Sequence, residues 1–199
     1  MASSIEIVNL ALTMLGESRI ISIDDNVKPA REAKAVYNTI LESLLGSYNW
    51  SFAKTRAALP ALADAPLSQY AAKFQLPADC LRVLFVGDHY VGMDLSDYRS
   101  APTSEFTIEG REILANMSAP LNIRYVRKIT DPTMFSAPFA RAFAADMAKV
   151  LAEPLTQSEQ KRARADKDLK DAISNAIRAN AIELPPEKFP DDEWIMARL

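Results

Sequence analysis

The sequence predicts an α+β fold: a helical bundle of about four helices, a small antiparallel β domain inserted into it, and an extended C-terminal tail. Three observations carry this expectation. Apolar residues recur at helical spacing near both ends of the chain. Between Trp50 and Lys128 that period gives way to short runs cut by Pro60, Pro66, Pro77, Pro102 and Pro120. Beyond residue 183, Pro185, Pro186 and Pro190 stop any helix and favour extended backbone.

The first helix opens at Ser3 and Glu6, whose spacing is that of a capping box, each side chain satisfying a free backbone N–H. Ile5, Val8, Leu12 and Leu15 give its stripe, and Gly16 fits the left-handed stop. A loop, Glu17 to Val27, leads to a second helix starting near Pro29. Ala33, Val36, Tyr37, Ile40 and Leu44 form its stripe, Gly46 closes it, and the two helices are expected to pair antiparallel.

The middle reads as four to six short strands. Leu81, Val83 and Phe85 alternate with Arg82 and Leu84 until Gly87-Asp88. Phe106–Ile108 and Ile113–Ala115 flank Glu109-Gly110-Arg111-Glu112, a hairpin with glycine in the turn. Leu121, Ile123 and Tyr125 alternate with Asn122, Arg124 and Val126. Helices return after Asp131. Ser136 and Pro138 open one whose apolar face is Phe139, Phe143, Met147, Val150 and Leu151, and Pro154 is expected to end it. Thr156 with Glu159 reads as a second capping box, opening the longest helix, about Gln157 to Ile182, roughly 39 Å long at 1.5 Å per residue. Its stripe is narrow: Ala165, Leu169, Ala172, Ile173, Ala176 and Ile177. Residues 1–49 and 131–183 are thus expected to form one discontinuous helical domain, 50–130 the inserted β domain and 184–199 a docking tail.

Composition narrows the function classes. The 199 residues are 49% hydrophobic and 25% charged, ordinary for a folded protein. With 23 basic and 26 acidic side chains the formal charge is −3, which disfavours a protein whose whole surface coats nucleic acid. One cysteine and one histidine leave no multi-cysteine or multi-histidine metal site, and no cofactor is expected. Met1 to Leu15 lacks the basic region and cleavage site of a secretory signal, no apolar run approaches a membrane span, and synthesis in the cytoplasm is expected.

The chain holds no G-x-S-x-G elbow, Walker loop or G-x-G-x-x-G. Cys80 reads as a small core residue, His89 as a surface or half-buried one. Asp24-Asp25, Glu109 with Glu112, and Asp191-Asp192-Glu193 are the carboxylate groupings on which a glycan hydrolase would draw. The basic residues Lys161, Arg162, Arg164, Lys167 and Lys170 alternate with Asp166, Asp168 and Asp171, the pattern of a solvated, internally paired helix face. A helix facing phosphate would look similar, so a DNA-binding module on the 161–170 face is a further alternative. Two readings of the long helix stand side by side: a surface helix of a monomer, or a helix whose spare surface meets other subunits. The tail ends in Trp194, Ile195, Met196 and Leu199 behind an acidic triplet; tryptophan is a common interface anchor.

The order of several pieces resembles the tail tubular protein A family of short-tailed bacteriophages, the head-to-tail adaptor proteins. These pieces are Leu15-Gly16-Glu17, Ile20 to Asp25, Ala33 to Leu45 with Tyr48-Asn49-Trp50-Ser51-Phe52-Ala53, and Phe74 to Val83. They continue with Ile108 to Arg111, Ile113 to Asn116, Leu121 to Tyr125, and Thr130-Asp131-Pro132 with Phe135 and the helix through Ala152. The resemblance spans about Ile5 to Leu184. It implies a non-enzymatic structural protein of the virion neck, synthesised in the host cytoplasm. Such proteins form a ring, typically of twelve copies, between the portal protein and the tail nozzle protein, with tail fibres a further candidate partner. DNA passes transiently through the lumen during ejection, and no membrane is involved. By the resemblance, Lys161, Arg162, Arg164, Lys167 and Lys170 would face the lumen or a neighbouring subunit, and Trp194, Ile195, Met196 and Leu199 would bind a partner.

Overall fold

A computed structural model describes residues 3–64, 66–67, 69–91 and 105–183. Among them lie four long helices, α1 (Ser4–Leu15), α2 (Lys28–Ser47), α3 (Ala137–Thr156) and α4 (Glu159–Glu183). Seven strands separate α2 from α3: β1 (Lys54–Leu59), β2 (Ala72–Gln75), β3 (Cys80–Val86), β4 (His89–Tyr90), β5 (Phe106–Glu109), β6 (Glu112–Ala115) and β7 (Leu121–Arg127). The fold is α+β. The C-terminal tail, 184–199, lies outside the described residues.

Local chemistry sets several helix ends where the sequence places them. Ser3 and Glu6 close the capping box of α1, and Gly16 ends that helix with φ 70°. Ser136 caps α3 by accepting from the Phe139 N–H. Other ends differ from the expectation. Gly46 is simply part of the last turn of α2, which runs on to Ser47 and ends in extended backbone at Tyr48. Pro154 does not end α3. It forfeits one N–H close to the end of the helix, which nonetheless runs on to Thr156 and stops at Gln157 with φ 50°; the Pro154 carbonyl accepts from Lys28 Nζ. Thr156 therefore belongs to α3, its hydroxyl donating to the Ala152 carbonyl at 2.6 Å. The start of α4 is held instead by Ser158, which accepts from the Lys161 N–H through Oγ and from the Arg162 N–H through its carbonyl.

The helices are organised around α3. It buries Phe139, Phe143, Met147 and Leu151 together with six alanines, so it is apolar nearly all round. Small side chains allow close approach, and α1, α2 and α4 all pack on it. The first two helices do not form the antiparallel pair expected of them; the 17–27 connection is long enough to place them separately against α3. Asn9 pins that connection, its side chain bonding both the N–H and the carbonyl of Ile20 at 2.8 and 2.9 Å. Val150, assigned to the apolar face of α3 from periodicity, is exposed.

Trp50 sits where the helices meet the strands. It is 1% exposed, its Nε1 donates to the Leu44 carbonyl at 2.8 Å, and its ring meets Phe139 edge-on at 5.0 Å. Phe52, Phe135 and Phe143 extend this aromatic cluster, and Tyr37 joins it edge-on to Phe143 at 5.0 Å.

The strands form two antiparallel sheets, β1-β7-β3-β4 and β2-β6-β5. The first sheet serves two cores. Leu84 and Val126 join the helical core; Val83, Val86, Leu121, Ile123 and Tyr125 face a second cluster with Phe74, Ile113 and Ala115 of the other sheet. Strict alternation fails in β3, because register shifts between Cys80 and Arg82 and between Val83 and Phe85 turn Cys80, Val83 and Val86 to the same cluster. The β5–β6 hairpin turns at Gly110, φ 60°, as its sequence demands.

Candidate functional site

Two surfaces carry the charged and aromatic residues of interest: the outer face of α4 and the open part of the first sheet. α4 touches the core through Ala165, Leu169, Ala172 and Ala176, flanked by the half-buried Ile173 and Ile177. Its remaining length is polar, and most of its basic residues hold parts of this same chain. Lys161 Nζ donates to the Leu15 carbonyl at 2.7 Å, closing the end of α1 beside Gly16. Arg162 pairs with Glu153 at 3.2 Å, and Arg164 lies 3.9 Å from Asp168. Asp166 accepts from both Lys149 of α3 and Lys170, each at 2.7 Å. Those two hydrogen bonds hold its carboxyl at about 2, and the same contact raises the Lys170 ammonium. Lys167 is exposed on the outward side.

The far end of α4 is clasped to residues 49–51, which precede β1. Asn180 accepts from the Ser51 N–H at 2.7 Å and donates to the Asn49 carbonyl at 3.1 Å, while Ser51 Oγ donates to Glu183 at 3.0 Å. Arg82 of β3 donates to the Asn49 side chain. Residues 49–51, the link between α2 and the sheet, are therefore held from two sides. Ile182, in the last turn, is 87% exposed.

On the first sheet, register brings Arg56, Arg124, Phe85 and Tyr90 into one row across β1, β7, β3 and β4. The Arg124 guanidinium lies 3.9 Å from the centre of the Phe85 ring, and the Phe85 and Tyr90 rings are 5.1 Å apart. Arg56, Arg124 and Phe85 of this row line an open concavity of about 630 Å³, shared with Ala58, Asp88 and Asn122. Arg56 and Arg124 stand directly opposite each other on neighbouring strands, and Asp88 lines the same concavity. The sequence reading passed over this row. Arg124 and Phe85 were visible as strand residues, but which residues stand opposite each other depends on pairing between distant strands.

The other sequence candidates have local tasks. Asp24 pairs with Lys34 at 2.6 Å, and Asp25 accepts from the N–H groups of Ile21 and Ser22. Glu109 and Glu112 face each other across the hairpin, with Lys73 3.8 Å from Glu112. Cys80 is buried in the second cluster and burial pushes its thiol up. His89 meets Glu105 at 2.6 Å, joining β4 to the residue before β5. Burial also raises the Asp146 carboxyl on α3. Trp194, Ile195, Met196, Leu199 and the acids 191–193 lie outside the described residues. Among the described residues there is no group of three metal-ligating side chains, and no helix is long and apolar enough to cross a membrane.

No protein-family model matches the chain, and no curated protein matches it significantly.

Proposed function

We propose that this chain is a structural head-to-tail adaptor of a short-tailed phage virion, a member of the ring between portal protein and tail nozzle protein through which DNA passes. The observation that carries the reading is α4. It is 25 residues long, buries four side chains along one alanine-rich stripe, is tied to its own chain by polar contacts near both ends, and leaves much of its remaining surface polar and exposed, Lys167 included. A monomer gains little from so long an exposed helix, whereas a ring needs each copy to present a rigid lateral surface. The internal ion pairs along α4 stiffen that surface and offset its charge. A wall of paired charges also suits a channel: a uniformly basic lumen would retain DNA through phosphate contacts. The ordered pieces that resemble the tail tubular protein A family supply the specific assignment. In this reading no step is catalytic, the core formed around α3 and Trp50 keeps each copy rigid, and the partners are further copies, the portal above and the nozzle below.

The test is to mix the purified chain with the portal ring of the same virion and image the product by electron microscopy. The reading expects a second ring of the chain seated on the portal. No ring complex at any salt concentration would refute it. Retention of duplex DNA by the chain alone, falling steeply with salt, would favour the nucleic-acid module instead.

A further inference from the structure

A gap runs between α2 and α4 over the C-terminal half of α3, and the outward face of α4 carries the charge that the gap lacks. We infer that the gap receives that face of α4 from a second copy of the chain, with Lys167 entering beside Asp146.

Helix geometry places the gap. α2 and α4 each pack along α3 but scarcely touch each other. On α3, Phe143 meets Tyr37 of α2, and Lys149 reaches Asp166 of α4. At about 100° per residue, Asp146 stands midway between those two directions, with Val150 beside it. Val150 is 42% exposed and Asp146 is half-buried. On α2, Lys34 turns to Asp24 in the loop after α1, so the opposite flank, with Glu32 and Val36, borders the gap. On α4, Lys161 turns to α1 and Asp166 to Lys149, so the half-buried Ile173, on the Asp166 side, forms the other wall.

Chemistry selects the occupant. Asp146 and Glu32 make no hydrogen bond or ion pair among the described residues, and the Lys149 ammonium that acts on Asp146 is itself bound to Asp166. Burial raises the Asp146 carboxyl, as expected of a charge short of partners. The other cations around the gap are engaged: Arg162 by Glu153, Lys170 by Asp166 and Lys28 by the Pro154 carbonyl. A cation arriving on an apolar stem satisfies both features, because its methylenes cover Val150 and Val36 while its head reaches the carboxylate.

The outside of α4 supplies such cations. Lys167 and Arg178 are exposed and make no ion pair among the described residues. Asp171 stands between them, so this face offers single cations, not the continuous basic track that a nucleic-acid backbone needs. Lys167 turns away from the gap of its own copy, about 100° round the helix from Asp166. The contact therefore joins two different surfaces, head to tail, and such a contact closes into a ring when its rotation allows. The inference rests on the reading of α4 as contact surface between copies, and it names what that surface meets.

Zero-length carbodiimide coupling joins a lysine to a carboxylate only when the two are in contact. A mixture of 15N-labelled and unlabelled full-length chain at high concentration should give a mixed-isotope cross-link from Lys167 to Asp146 or Glu32. Lys167→Glu and Asp146→Lys should each weaken self-association by about tenfold or more in sedimentation, with the circular dichroism unchanged. Combining them should restore it. Val150→Arg, at a position already exposed, should weaken it as well. A chain that stays monomeric up to its solubility limit overturns the inference. So does a Lys167 cross-link to carboxylates elsewhere, or a double variant no better than the single ones. Retention of duplex DNA lost in Lys167→Glu without any change in self-association would give the face to nucleic acid and overturn it too. Assembly on the portal without this cross-link would keep the ring and sink this contact; the cross-link without portal assembly would do the reverse.

Discussion

α3 and α4 are consecutive helices of similar length that pack along each other, yet they are built on opposite plans. α3 is surrounded: its ten buried residues are all apolar, and three other helices lean on it. α4 buries three alanines and one leucine, flanks them with the half-buried Ile173 and Ile177, and leaves most of its other side chains exposed. The difference separates two jobs. α3 determines how the chain folds, and α4 is left with surface that folding does not consume. α4 is nonetheless tied down at both ends, by Lys161 to α1 and by Asn180 and Glu183 to the 49–51 link.

If that contrast is right, the penalties for truncation should rank accordingly. Phe139→Ala, beside Trp50 in the core on α3, should cost about 3–5 kcal/mol in denaturant unfolding. Leu169→Ala on α4 should cost about 2–3 kcal/mol, because the half-exposed shell around it relaxes into the space. Equal costs would mean that α4 belongs to the core as much as α3 does. Asn180→Ala removes both bonds to the 49–51 link and should cost about 1–2 kcal/mol; hydrogen exchange at Ser51 should rise first. Deleting residues 190–199 should leave the circular dichroism and cooperative unfolding intact while weakening assembly; a large fall in melting temperature would show that these residues complete the core.

The smallest effect concerns the tie between the two helices. Asp166 is held at about 2 by Lys149 and Lys170, below the ordinary carboxyl value, so its contribution is complete above about pH 4 and is lost as pH falls toward 2. Asp166→Asn should therefore narrow the stability gap between pH 6 and pH 2 measured by thermal unfolding. An unchanged acid profile would show that the tie contributes nothing.

The parts of this fold that were legible in the sequence are those governed by neighbours along the chain. Ser3 with Glu6, Gly16, Ser136 and the Gly110 turn each rest on a few adjacent residues, and each stands where the sequence puts it. Residues whose role depends on distant partners were misread. Pro154 stands inside α3, which runs on to Thr156, and its carbonyl accepts from Lys28, far away in sequence. Val150 fits the helical period of α3 but faces outward, since no neighbouring helix covers that side. α1 and α2 look like a hairpin until α3 arrives to separate them. The same logic hid the arginine row: Arg56 and Arg124 are neighbours only through strand pairing across 68 positions. The carboxylates and the basic residues of α4 were visible as types, but their bonds to Leu15, Glu153 and Lys149 come from packing.

The central claim is that the outward face of α4 is contact surface between copies. The most direct measurement is the acetylation rate of Lys167 in the free chain and in its complex with the portal ring, with Lys34 as internal reference. The account predicts that Lys167 reacts readily in the free chain and is strongly protected in the complex, while Lys34 changes little. Equal reactivity of Lys167 in both states would contradict it.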